Sequence, residues 1–353
     1  MAASQVALQL GTVIHLRWGK ARYILGIVSA RAMTTFTRIA GIELPVVQAG
    51  MGGGVARHGL AAAVSGAGGL GTLGILDAPQ LAQELAAARR LTTRPVAVNL
   101  LLPFASRAHW EVAREADVVI TFWGRPTRRS ARVWLHQCGS VAEALAARAA
   151  GADAVIAQGV EAGGHVRGSL AATALLEATR AALPREYPVL VAGGIATAGD
   201  LKRALDAGAD AAVLGTRYVL SEESGASAGY RQRLVAAGGT VLTELFGAGW
   251  PRAPHRVAPN AATKRWLRDG DRGPTWIRAI NTLTGPAVAR LPARLQQRLL
   301  AAQAPDRPLL SPQPPSIGAP EGLLEAGPLY AGESVARIAD VRPAAELTRE
   351  LAP

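Results

Sequence analysis

One cysteine, Cys138, is all that a chain of 353 residues contains. That excludes a disulfide scaffold and any zinc site built on a cysteine cluster. Aromatic residues make up only 5% of the chain, and no apolar run is long enough to span a bilayer as a helix. Charged residues are also sparse, at 18% against 49% hydrophobic, which is the reverse of a disordered composition. Acidic side chains number 26 against 38 basic ones, for a net charge of +12. What remains is a soluble chain of one large or two ordinary domains, expected in the cytoplasm.

A basic balance raises the question of nucleic acid, so the position of the charge matters. Residues 1–32 carry four basic and no acidic side chains. Residues 33–251 hold 20 basic and 17 acidic ones, and are close to balance. The excess returns in 252–310, with 11 basic against 3 acidic, and reverses in 311–353, with 3 against 6. The charge therefore belongs to a front extension and a late segment. With few aromatics and no nucleic-acid motif, neither a nucleic acid nor a membrane is expected as a partner.

The balanced middle alternates short apolar runs with Ala-rich stretches of helical length. The runs are Pro45–Gln48, Gly69–Ile75, Pro95–Leu101, Asp117–Phe122, Arg132–His136, Ala154–Gln158, Pro188–Ala192 and Ala211–Leu214. Rich in Val and Ile and without strict alternation, they read as strands buried on both faces of a parallel sheet. Pro79–Leu91, Val141–Gly151, Leu170–Leu183 and Gly199–Gly208 read as helices between them. Eight such units predict an α/β fold, a (β/α)8 TIM barrel over 33–224, with a doubly wound sheet as the rival. One unit is abnormal. Between Phe122 and Arg132 there is too little chain for a normal crossover helix, so either that helix shrinks to about one turn or the strand assignment fails.

After Ser224 the rhythm stops, and residues 225–353 read as a mainly helical and irregular extension packed on the barrel. Gly225–Ala237 reads as a helix and Thr240–Phe246 as a short apolar segment, and the chain from Gly247 to about Asn260 is rich in Gly and Pro. Ala261–Leu300 is Arg-rich and helical in pieces, and proline makes Ala304–Pro320 irregular. Three readings stay open for residues 1–32: an appendage, a targeting segment, or sequence upstream of a start at Met33.

In a parallel barrel, active sites sit where the strands end. The first strand runs into Gln48-Ala49-Gly50-Met51-Gly52-Gly53-Gly54, where glycines admit a flat or phosphorylated ligand or simply form a tight turn. The seventh and eighth run into Gly193-Gly194 and Gly215-Thr216, the places where barrels bind phosphate. After the sixth comes Gln158-Gly159-Val160-Glu161-Ala162-Gly163-Gly164-His165. A histidine on such a loop can move protons near neutral pH. His15, His58, His109 and His255 read as structural, and Glu161 either orients His165 or caps a turn. Cys138, next to Gln137, reads as a small buried filler, with a reactive thiol as the alternative. Phe122, Trp123, Trp134, Trp250 and Tyr330 are core residues or the walls of a substrate site.

Together these segments resemble the nitronate monooxygenase family, formerly 2-nitropropane dioxygenases. The resemblance runs from about Met33 to Ser224, with Asn99-Leu100 and Gln137 with Gly139-Ser140 among its matches, and Pro328–Gly332 also looks like the family's closing segment. It implies an FMN-dependent TIM-barrel enzyme. Ala49, Gly50 and Met51 would line the isoalloxazine, with Asn99, Gln137 and Gln158 bonding the ring or ribityl chain. Gly163, Gly164, Gly193, Gly194, Val213, Leu214, Gly215 and Thr216 would hold ribityl and phosphate, and His165 would be catalytic. Such an enzyme oxidises a small nitronate with O2 to a carbonyl compound and nitrite. Gly50 stands where many members have proline. The same loop also occurs in flavin-dependent enoyl-acyl-carrier reductases, which use NAD(P)H on thioesters. The arginines of 252–310 bear on that alternative: over the barrel mouth they would meet coenzyme A or carrier phosphates, and elsewhere they form a solvated face.

Overall fold

A computed structural model of the chain describes residues 15–18, 21–24, 33–129, 131–267, 272–289, 291–308 and 310–352. Residues 1–34 and 35–353 form separate compact units. In the first, His15–Trp18 and Ala21–Ile24 pair as antiparallel strands. The rest of the basic extension expected over 1–32 lies outside the described residues.

All eight expected strands form, at Val46–Gln48, Gly71–Leu73, Val96–Leu101, Val118–Phe122, Val133–Cys138, Ala154–Gln158, Val189–Ala192 and Ala211–Leu214. They pair in parallel, each beside its chain neighbour, and the first pairs with the eighth. A parallel bridge between Val47 and Leu70 completes the ring, with Gln48 N–H donating to Leu70 O and Leu70 N–H to Val46 O, both at 2.9 Å. The expected (β/α)8 barrel is present.

Alternation along each strand sorts its side chains. Val47, Ala97, Ile120, Leu135, Ile156, Leu190 and Val213 fill the barrel interior, and Phe36, on the helix Thr35–Ala40, joins that cluster with no exposed surface. Val46, Val155, Val191 and Leu214 face outward against the helices. Helices Ala78–Leu91, Val141–Ala149 and Ala198–Asp206 start where capping chemistry predicts: Asp77 accepts from Gln80 N–H at 2.8 Å, Ser140 from Glu143 N–H at 3.3 Å and Thr197 from Asp200 N–H at 3.2 Å.

The short fourth unit keeps its strand and has no helix among its described residues. Buried side chains on the outward face of the barrel there satisfy one another. Trp134 Nε1–H donates to Thr121 Oγ1 at 2.8 Å, and the same oxygen lies 2.8 Å from His136 Nδ1. After the eighth strand only a four-residue helix, Thr216–Val219, follows. The terminal helix Ala344–Leu351 packs instead against helices His58–Gly66 and Ala198–Asp206, filling the gap between the first and seventh helices.

Within the Gly- and Pro-rich stretch 247–260, His255–Ala258 forms a buried strand that the sequence did not suggest. It pairs with Val241–Thr243, Leu329–Tyr330 and the two-residue strand Gly164–His165. Helices Ala261–Trp266, Thr275–Ala289 and Ala293–Ala301 match the expected pieces, and no described residue of 304–320 is in a helix or named strand. No described helix is long and apolar enough to cross a membrane.

Because Phe36 belongs to the interior cluster, Phe36→Ala is expected to cost about 3–5 kcal/mol. Urea unfolding of the two proteins measures the difference.

Candidate active site

The inward positions at the tops of the strands form one layer: Ala49, Asn99, Gln137, Gln158, Val213 and Gly215 all line a cavity of about 560 Å³. Gly50, Met51, Gly163, Gly164, Gly193, Gly194, Thr216 and His165 reach it from the loops that follow. Of the expected binding residues only Leu214 does not. It sits one residue out of phase on its strand, so its side chain packs among the outer helices, 1% exposed.

The loops approach one another as bare backbone. A Cβ on Gly163 would lie 2.5 Å from Gly332 N, so any side chain there would push the closing segment off the loop. Gly193 and Gly194 take φ of +117° and +73°, which other residues rarely adopt. Asn99 Nδ2–H donates to Gly50 O at 2.9 Å, while its Oδ1 is buried without a partner among the described residues. Gln158 lines the cavity with its amide already used: Nε2–H donates to His165 O at 2.9 Å, and Oε1 accepts from Arg167 N–H at 3.3 Å. Thr216 Oγ1 accepts from Gly332 N–H at 2.8 Å.

His165 is held by backbone pairing opposite His255. Its ring stacks on Trp250, with centroids 3.8 Å apart and planes at 25°. Tyr330 at 5.6 Å, Trp123 at 6.5 Å and His255 at 5.2 Å complete an aromatic box. Nε2 of His165 is buried with no partner among the described residues. Burial, and then the neighbouring His255, hold its pKa well below the usual value, so the ring is neutral. His255 was expected to be merely structural, and it is, but as the support of this site. Its Nδ1 lies 2.9 Å from Ala253 O and its Nε2 accepts from Phe246 N–H at 3.3 Å, while burial pushes its pKa down to about 4.

The remaining candidates separate cleanly. Glu161 neither orients His165 nor caps a turn but serves the start of the helix Ala172–Ala182: both its carboxylate oxygens accept from Ala172 N–H, at 2.9 and 3.1 Å. Cys138 is a buried filler facing the outer helices, its thiol pKa raised by burial. His58 bonds Glu84, and His109 caps a helix with Ser106; the side chain of His15 lies outside the described residues. Phe122, Trp250 and Tyr330 are cavity walls, whereas Trp134 is outer core. No arginine or lysine is among the residues described as lining the cavity. The 252–310 segment does reach it, through Leu299, Leu300 and Gln303. Sequence reading missed these three, along with Phe104 and Gln313, because no local pattern marks a residue brought in from so far along the chain.

An uncharged cup with glycine backbone at one end, an unpartnered Asn99 oxygen in its wall and a neutral imidazole beside it suits FMN. Ring N–H groups can use the Asn99 oxygen, and phosphate is commonly bound by backbone N–H groups at strand ends.

The family model described as nitronate monooxygenase matches residues 33–126 and 125–353. A nitronate monooxygenase of Pseudomonas aeruginosa is 34% identical over 289 residues, covering 64% of this chain and 81% of that one. A Mycobacterium tuberculosis (3aS,4S,5R,7aS)-5-hydroxy-7a-methyl-1-oxo-octahydro-1H-indene-4-carboxyl-CoA dehydrogenase is 34% identical over 258 residues, covering 69% and 70%. Among solved structures, nitroalkane oxidase from Streptomyces ansochromogenes superposes with a TM-score of 0.70 at 30% identity, covering 90% of this chain and 96% of that one. FabK from Thermotoga maritima also gives 0.70, at 27% identity, covering 90% and 94%.

Neutral buried imidazoles tie stability to pH. His136 is pushed down to about 4 by burial, as is His255, and His165 moves the same way. In the unfolded chain these rings protonate near pH 6.5, so stability present above 6.5 is lost as pH falls towards about 4. Thermal melts should show Tm falling through that window, and a flat Tm would contradict the neutral rings.

Proposed function

Because the chain belongs to the nitronate monooxygenase family, whose members are FMN-dependent oxidoreductases, we propose that it oxidises alkyl nitronates with O2 to carbonyl compounds and nitrite in the cytoplasm. The observation that carries this reading is His165: a neutral imidazole with an unpartnered buried nitrogen, boxed by aromatic rings beside a cavity without charged walls.

Ala49 to Met51, Asn99 and Gln137 would hold the FMN ring, and Gly163, Gly193, Gly194, Gly215 and Thr216 its ribityl phosphate. FMN, when bound, supplies the electron acceptor that O2 reoxidises. The protein's part is positioning and proton control. His165 can donate a hydrogen bond to a nitronate oxygen or, as a neutral base, take the α-proton of an unionised nitroalkane. A substrate anion accepts that bond more strongly where water is excluded, and the Trp250, Tyr330 and His255 rings exclude it. The main-chain ladder opposite His255 and the bond from Gln158 to His165 O hold the loop, so the imidazole is placed before substrate arrives.

A second reading, FMN- and NAD(P)H-dependent reduction of an enoyl thioester on coenzyme A or a carrier, is favoured by one feature. The helix Ala293–Ala301 lines the cavity with Leu299 and Leu300 and carries Arg294 and Arg298. An acyl chain suits the leucines, and phosphates suit the arginines.

Anaerobic mixing separates the two. Nitronates are expected to bleach the flavin where NADH does not; bleaching by NADH alone would transfer the assignment to the second reading. His165→Asn should retain bound FMN while turnover with nitronate falls about 100-fold or more. Flavin absorbance and nitrite release measure the two quantities.

A further inference from the structure

The loop after the seventh strand is not held by its own neighbours alone. Gly193 and Gly194 both take positive φ, and the chain then turns into the helix Ala198–Asp206. The turn is organised by Asp200, whose carboxylate accepts from Ala196 N–H at 2.9 Å and Thr197 N–H at 3.0 Å. The Asp200 side chain is only 7% exposed, so its charge needs a partner.

That partner comes from the far end of the chain. Arg337 Nη1 donates to both oxygens of Asp200, at 2.8 and 3.0 Å, and its Nη2 donates to the carbonyl of Gly194. One guanidinium therefore grips the loop at two points, a planar fork that lysine cannot reproduce. Arg337 ends the 3-10 helix Glu333–Arg337, itself anchored on the other cavity loops. Gly332 N–H donates to Thr216 Oγ1 at 2.8 Å and Glu333 N–H to Glu161 O at 3.0 Å, and Arg256 reaches Val160 O at 2.9 Å and Glu333 at 3.0 Å. The segment 332–337 thus ties together the ends of the sixth, seventh and eighth strands, and Gly332 and Ser334 line the cavity.

We propose that Arg337 is a positioning residue for FMN, fixing the Gly193–Gly194 backbone in its binding shape through Asp200 and the Gly194 carbonyl. The proposal rests on the reading that this loop holds the cofactor, and it is independent of which substrate the enzyme takes. A built-in control is Arg203, which pairs with Asp200 at 2.5 Å from the solvent side and is 71% exposed.

The test is FMN release from the holoenzyme, followed by the rise of free-flavin fluorescence on dilution. Arg337→Met is expected to release FMN about tenfold faster. Arg337→Lys should restore part of the retention, and Arg203→Met should stay within twofold of the parent. Far-UV spectra of the FMN-stripped proteins at the assay temperature should show each of them folded, which separates cofactor positioning from loss of the fold. Equal acceleration in Arg337→Met and Arg203→Met would overturn the proposal, since only the charge on Asp200 would then matter. Gly194→Ala tests the underlying reading. If it leaves release unchanged, the loop does not hold FMN; if it accelerates release while Arg337→Met does not, the loop reading survives and the role of Arg337 falls.

Discussion

Closure of the parallel barrel is the constraint on which everything else depends. Once the bridge between Val47 and Leu70 shuts the ring, every strand must point alternate residues inward. Inward positions at the carboxyl ends of five of the strands then converge on one cavity. Ala49, Asn99, Gln137, Gln158, Val213 and Gly215 meet there although 166 positions separate the first from the last. The same phase rule turns Leu214 away into the helical layer. A ligand cup is thus a consequence of register, with apolar packing below it and small or amide side chains at its rim.

The chain that follows the barrel adds walls to this cup. Its short strand His255–Ala258 pairs with Gly164–His165 and fixes the imidazole by main-chain bonds, which hold position more firmly than a loop would. Trp250 and Tyr330 arrive from either side of that strand in sequence and close around the ring. The terminal helix fills the gap left by the one-turn helix after the eighth strand, so the extension completes the barrel as well as the site.

Electrostatics follows the same division of labour. The net charge of +12 lies largely outside the barrel, and no charged side chain is described as lining the cavity. Several arginines act instead as ties between distant segments. Arg217 bonds Leu220 O and Asp340, Arg256 bonds Val160 O and Glu333, and Arg278 lies by Glu244. Within 252–310, therefore, Arg256 ties the extension to the barrel. Burial, and then the neighbouring His255, keep the imidazole neutral.

The barrel was legible because its signals are local. Apolar runs of strand length, caps such as Asp77 and Ser140, and glycines at strand ends each reflect the physics of a few adjacent residues. The abnormal fourth unit could be read too, since the chain between Phe122 and Arg132 is too short for a crossover helix of normal size. The loop Gln158–His165 was legible for the same reason. What could not be read was whatever depends on contact across the chain. His255 resembles any buried histidine until it lies opposite His165. Leu299, Leu300 and Arg337 sit in ordinary amphipathic or irregular stretches whose partners are far away in sequence. By itself the sequence determined the eight units, the glycine rims and the histidine, because period and backbone freedom are written residue by residue. Only the tertiary structure decided which side chains enclose that histidine and which segment ties the rim shut, because burial and ion pairing come into being only when distant residues meet.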